Sequence, residues 1–172
     1  MIRRKRRAYL DQFTKNAAGE YIYAGGHYTF QDTGKSRKRA LTELWLLVAG
    51  GTAMVLAGGC IPAPGVGSCP YVLVPYVAAL IAGFSCVWSL GQLTAGGDPM
   101  REYVYHDSVE KLPGRALATA VCALLALAGE CLYLGLHGGR LAFGLLFLLL
   151  MAGGAAAVFW ARRTISRLNW TK

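Results

Sequence analysis

Four runs of apolar residues limit what this chain can fold into more than any other feature. Leu44–Ile61 has 18 residues without a charge, Tyr71–Gly91 has 21, Ala116–Leu136 has 21 with the single acid Glu130, and Leu141–Ala161 has 21 with none. A helix rises about 1.5 Å per residue, so roughly 20 apolar residues cross a hydrocarbon core of about 30 Å. Each run is long enough to span. Helices of a soluble bundle keep a polar stripe toward water, whereas the last run reads LAFGLLFLLLMAGGAAAVFWA, with no such stripe at any period. The expected fold is therefore an all-α integral membrane protein with four transmembrane helices in two hairpins, spans 44–61 and 71–91, then 116–136 and 141–161. A hydrophobic content of 55% and 22 glycines among 172 residues point the same way.

Three polar stretches frame the two hairpins: a basic, aromatic tail over 1–43, an island over 92–115 and a C-terminal tail over 162–172. With four spans they share one side of the membrane. Of 18 Lys and Arg, the first tail holds ten up to Arg39, the island three, the C-terminal tail four, and only Arg140 falls on the other side. The positive-inside rule then places both termini and the island in the cytosol, across a cytoplasmic membrane. Trp45, Trp88 and Trp160 lie near the cytosolic ends of their spans, where an indole keeps its N–H wet. Arg3, Arg4, Lys5, Arg6, Arg7, Arg37, Lys38, Arg39, Arg162 and Arg163 are expected to meet anionic headgroups of the inner leaflet, each worth about 1 kcal/mol near the surface. The same charge and a pI near 9.6 would suit nucleic acid, but topology already accounts for it and no aromatic-basic nucleic-acid motif accompanies it. MIRRKRR is followed by no apolar run before Leu44, so no cleavable signal peptide is expected.

Within the first tail, Tyr9, Leu10 and Phe13 at helical spacing suggest an amphipathic turn on the inner leaflet. EYIYAGGHYTFQ, residues 20–31, reads as two β-prone runs around Gly25–Gly26, a hairpin pairing Tyr23 with Tyr28 and Tyr21 with Phe30. Those four aromatics then share one face and need a cover: the membrane interface, the island or a partner. In the island, Asp98–Pro99 predicts a helix start, which makes Met100, Tyr103 and Val104 one apolar patch. Tyr103 and Tyr105 join the tail aromatics as an expected contact face. Glu20-Tyr21-Ile22-Tyr23 echoes Glu102-Tyr103-Val104-Tyr105, and Arg39-Ala40-Leu41 echoes Arg115-Ala116-Leu117, the mark of a duplicated hairpin. His106 and Glu110 share a helical face but lack further ligands, so no metal or other cofactor is expected. Ile165, Leu168 and Trp170 predict an interfacial extension of the last helix.

Three features bear on chemistry. Cys60 and Cys69 bracket the charge-free outer turn, and a disulfide there would close a short loop, contributing about 2–3 kcal/mol. Quinone-linked disulfide-forming enzymes of four spans depend on a C-x-x-C pair, which is absent. Cys86, Cys122 and Cys131 read as small apolar side chains within spans. Glu130 is the only acid inside a span and so a functional candidate by default. Six residues separate it from Leu136, about 9 Å of helix, and an ion pair with Arg140 near the outer interface would satisfy both. Small proton-coupled exporters of four spans carry their membrane glutamate in the first span, whereas this one is in the third. Small residues in the first span, Ala49, Ala53 and Ala57 beside Gly50, Gly51, Gly58 and Gly59, serve either packing inside the bundle or a homo-oligomer. The function expected is non-enzymatic: an accessory or scaffold subunit binding a membrane-protein partner or anionic lipid through its cytosolic face. The alternatives are a small proton-coupled transporter using Glu130 as an oligomer and a thiol oxidoreductase using Cys60 and Cys69.

Overall fold

A computed structural model of the chain describes residues 13–15, 20–23, 26–31, 36–138 and 140–171; for 13–15 and 21–23 the backbone is described. The cationic block Arg3–Arg7 and the Tyr9–Leu10 pair lie outside the described residues. In chain order the elements are β1 (Phe13–Lys15), β2 (Tyr21–Tyr23), β3 (His27–Phe30), α1 (Arg37–Gly59), α2 (Pro64–Ser68), α3 (Pro70–Ala95), β4 (Met100–Arg101), α4 (Glu102–Ser108), α5 (Leu112–His137), α6 (Leu141–Ile165) and β5 (Trp170–Thr171).

The four expected spans are helices long and apolar enough to cross a membrane. They run past the charge-free cores: α1 begins seven residues before Leu44, where Ser36 Oγ accepts the Arg39 N–H at 3.4 Å as an N-cap. Around the bundle, α1 lies against α3 and α6, and α5 lies against the same two helices, closing a ring of four. The side chains buried on α5 are mostly small, while large apolar ones face outward. The buried face of α5 is Ala116, Thr119, Ala120, Ala123, Ala126 and Gly129, together with Leu112 and Glu130. Leu46, Trp88 and Leu149 on other helices are 72%, 70% and 70% exposed. Water would penalise that arrangement at about 25 cal/mol per Å² of exposed apolar surface. In lipid the penalty vanishes, and helices associate instead through close backbone approach.

That approach is close between α1 and α6. A methyl group added at Gly154 would sit 2.9 Å from the Gly51 carbonyl oxygen, and one added at Gly51 would sit 2.7 Å from Val158 Cγ2. Gly58 faces Phe147 and Met151, also on α6, and Gly59 faces Tyr76 on α3. The glycines of the first span are thus used largely within the bundle; only Gly50 has open space where its side chain would be.

Several local expectations are corrected. The 20–31 hairpin does not form: β2 pairs antiparallel with β1, matching Phe13 to Tyr23, while β3 pairs with β4 and β5. Phe13 therefore belongs to a strand rather than a helical turn, and a three-stranded sheet ordered β4-β3-β5 takes the place of the lone hairpin. A two-stranded ribbon is marginal alone, and β3 gains ladder bonds on both edges by recruiting the island and the C-terminal tail. Asp98–Pro99 does not start the helix; Met100–Arg101 is strand, and α4 starts at Glu102 with Arg101 as its cap residue. The first pair of echoed segments differs in kind, Tyr21–Tyr23 being strand and Glu102–Tyr105 helix, whereas Arg39–Leu41 and Arg115–Leu117 are both helical. The last helix stops at Ile165, and Trp170 is in β5 because its backbone pairs with Phe30.

Candidate functional site

The sheet gathers three distant parts of the chain at one end of the bundle. His27 pairs with Arg101 and Tyr28 with Met100; Thr29 pairs with Thr171 and Phe30 with Trp170. The β3 side chains alternate, as a strand requires: Tyr28 and Phe30 are half-buried, His27 and Thr29 exposed. On the covered face, Tyr28 stacks on Tyr105 with ring centroids 4.1 Å apart and planes within 5°. Trp170 sits edge-on to Phe30 at 5.2 Å and to Tyr105 at 6.1 Å. Aromatic pairs of this geometry contribute about 0.5–1.5 kcal/mol each beyond burial. Below them, Met100 is fully buried beside Leu93, Leu112 and Ile165, so the sheet rests on the bundle core.

Glu102 ties this cap twice to the turn before β3. Its N–H donates to the Gly26 carbonyl at 3.0 Å, and its Oε2 accepts the Gly26 N–H at 3.3 Å. Its other oxygen lies 3.8 Å from His106 Nε2, whose Nδ1 is 2.6 Å from Glu110 Oε2. The imidazole thus sits between two carboxylates one turn either side of it, and Asp107 pairs with Lys111 on the next row. Among the described residues no group of three His, Cys, Asp or Glu side chains could hold a metal. Burial pushes the Tyr105 phenol above its ordinary value, with Tyr28 and then Glu110 adding to the shift.

The expected aromatic face is partly assembled. Tyr28, Phe30 and Tyr105 meet, as the island was one of three expected covers; Tyr103 instead lines a cavity beside α3. Tyr21 and Tyr23 belong to the separate β1–β2 ribbon. Trp170 is a further member, although its spacing from Ile165 and Leu168 suits a helix. Just under the cap, basic side chains close the end of α3. Arg37 Nη2 donates to the Leu93 carbonyl at 3.3 Å, Arg115 Nη1 to the Ser85 carbonyl at 3.2 Å and to Ser89 Oγ, and Trp45 Nε1 to Thr94 Oγ1 at 3.0 Å. Cations near the last turns of a helix complement its dipole. Arg162 and Arg163 close α6 likewise, with the Arg163 guanidinium 5.5 Å from the Phe159 ring. Lys38 and Arg39 are exposed in the first turn of α1, beside the half-buried Arg37.

At the opposite end, Glu130 is fully buried. It is not paired with Arg140, which is exposed with its guanidinium 6.0 Å from the Phe143 ring. Instead Oε1 accepts the Gly65 N–H at 3.3 Å, while Oε2 is buried without a hydrogen-bond partner. The reason is local. Pro64 opens α2 and Gly65 lacks a side chain, so the turn drops onto the bundle; a methyl group on Gly65 would collide with Glu130 Oε2. The side chain is directed inward to this backbone donor and away from Arg140. The expected Cys60–Cys69 disulfide is also absent, all five cysteines being free thiols. Helix α2 folds between the two, leaving Cys60 as the cap of α1 and Cys69 as the cap of α3.

Comparison with family models, curated proteins and solved structures finds no match to the chain.

Proposed function

We propose that the protein is a non-enzymatic, multi-pass protein of the cytoplasmic membrane, with both termini cytosolic, that serves as an accessory or scaffold subunit. Its cap presents an ordered surface to a membrane-protein partner, with anionic inner-leaflet lipid holding the basic flanks. The observation that carries this reading is the joining of residues 27–30, 100–108 and 170–171 into one aromatic-centred unit. Tails kept only for topology need charge but no tertiary structure, whereas a recognition surface needs groups held in place before binding.

Two experiments test it. An impermeant maleimide added to intact cells should label exposed Cys60 from outside; labelling only after permeabilisation sinks the orientation. Tyr105→Ala and Tyr28→Ala should each release proteins that co-purify with the wild type in mild detergent. An unchanged set of co-purifying proteins, with the cap shown to be undocked, sinks the partner reading.

One observation favours a second reading. A buried carboxylate oxygen without a partner at membrane depth suits a group that carries a proton or meets a cation, so a small transporter working through Glu130 as an oligomer is the alternative. Glu130→Gln would then abolish proton-dependent flux in vesicles while leaving the fold intact. The thiol oxidoreductase alternative has less support, because Cys60 and Cys69 are not bonded to each other.

A further inference from the structure

Two cavities meet at Ala95, the last residue of α3. One is a groove of about 550 Å³ running down the outer face of that helix along Phe84, Val87, Trp88, Gly91 and Gln92. Its wall is almost wholly apolar, and the neighbouring Phe84 and Trp88 rings project from the bundle. The other is a polar cavity of about 500 Å³ at the cap, walled by Arg101, His27 and Tyr103 with Gly96 and Pro99 at its base. Both volumes fall within the range of small-molecule sites, about 300–1,000 Å³. No carboxylate is among the described residues of either wall. Glu102, next to Arg101, turns its Oε2 to the Gly26 N–H instead.

We propose that this joined cavity seats one anionic phospholipid, its phosphate beside Arg101, His27 and Tyr103 and an acyl chain along the α3 groove. Two features select that occupant. The groove lies on the outer face of the bundle: a Cβ at Gly91 would meet nothing within 4 Å, and Trp88 beside it is 70% exposed. The polar chamber lies at the level where α3 ends, beside Gly96 and Pro99, and Arg101 is the cation that lines it. A head of negative charge above a chain of methylenes is complementary to both parts at once. Arg101, His27 and Tyr103 are each also engaged within the fold, so the chamber is built before any ligand arrives. A guanidinium binds phosphate oxygens through a planar fork, which a lysine cannot reproduce.

The inference rests on the proposed cytosolic setting of the cap and not on any protein partner. The full chain is reconstituted in nanodiscs of equimolar phosphatidylglycerol and phosphatidylcholine, released in mild detergent, and the retained lipid counted by native mass spectrometry. One phosphatidylglycerol should stay with the wild type. Arg101→Gln should weaken its retention about fivefold relative to phosphatidylcholine, with Arg101→Lys intermediate. Gly91→Leu places a branched side chain in the groove from a position whose Cβ has nothing within 4 Å, so it tests the chain half even if Arg101→Gln fails to fold; it should lower retention of long-chain phosphatidylglycerol and leave a dihexanoyl analogue unaffected. Equal retention of phosphatidylcholine by the wild type overturns the proposal, as does indifference to Gly91→Leu. Inorganic phosphate competing as well as the lipid overturns the phospholipid as occupant. Partner association is read separately through Tyr28→Ala, so a failed lipid seat leaves the partner reading standing. A lost partner reading leaves lipid selectivity to be judged alone.

Discussion

The two ends of the bundle are held shut in different ways. At the cap end, strands two to four residues long bring together segments up to 142 residues apart, and the bonds are many: ladder hydrogen bonds, an aromatic stack and a doubly tied Glu102. At the far end, the single described side-chain hydrogen bond between the turn and the bundle is Gly65 N–H to Glu130. Many modest interactions sum to a unit that can open locally and close again. One carboxylate in a dry setting gives a contact that is either made or broken, because an unsatisfied buried group costs more than an average hydrogen bond contributes. The cap is therefore suited to graded recognition and the far end to a two-state device.

The largest expected effect lies between the ends, and it asks whether they belong to one cooperative body. Gly154→Leu forces a branched side chain into the Gly51 carbonyl and Val55, where a Cβ alone would already sit 2.9 Å from both, so the cost exceeds the usual overpacking penalty of about 1–3 kcal/mol and is on the order of 4–5 kcal/mol. Thermal unfolding followed by helical circular dichroism should fall, and both the cap and the Glu130 turn should lose hydrogen-exchange protection together. Loss of protection at one end alone would mean that the ends are independent.

Next comes the far end. Glu130→Ala leaves the Gly65 N–H unsatisfied and a cavity beneath it, a loss of about 2–4 kcal/mol. Glu130→Gln keeps an acceptor of the same shape and should recover most of it. The midpoint of global unfolding is the measurement. If Gln is as damaging as Ala, the Gly65 hydrogen bond is not what the site contributes to stability, and the contrast drawn between the ends fails.

Tyr105→Ala at the cap should behave differently. It removes the stack on Tyr28 and the edge contact with Trp170, roughly 1–3 kcal/mol in all, yet the helices should melt as before. The loss should appear as faster hydrogen exchange over His27–Phe30 and 170–171. A drop in the global midpoint as large as that of Glu130→Ala would erase the distinction between the ends.

The contrast also explains what the amino-acid sequence made legible. Lipid tolerates only continuous apolar runs whose backbone bonds close internally, so the four helices stand out as runs of 18 to 21 residues. Glu130 stands out for the same reason, as the one acid in them. Its partner does not, since a backbone N–H carries no side-chain signature; the clue was Pro64-Gly65, a turn able to come close to a neighbour. The cap was harder. Met100–Arg101 and Trp170–Thr171 are too short to show alternation, and the choice of β3 partner is made by which segments the bundle brings within reach. EYIY and EYVY look alike and end as strand and helix because their neighbours differ: β1 pairs with the first, whereas the second starts α4 above the buried Met100.

The smallest expected effect separates the ends by pH. Burial raises the Tyr105 phenol above its ordinary value, with Tyr28 and Glu110 adding to the shift, while an undocked tyrosine ionises near pH 10. The sign follows from linkage: the docked cap binds the proton more tightly than the open one, so its stabilisation is complete below pH 10 and is lost as pH climbs through the raised value. Raising the pH of purified protein from 9 to 11.5 should therefore shift Trp170 fluorescence as β5 leaves β3. Absorbance of tyrosinate should rise in a late step. Tyr105→Phe keeps the stacking ring and removes the ionisable group, so the fluorescence change should move to higher pH or disappear, and the helical signal should stay constant throughout in both proteins. An unchanged alkaline transition in Tyr105→Phe would assign the opening to another group and leave the stack as packing alone.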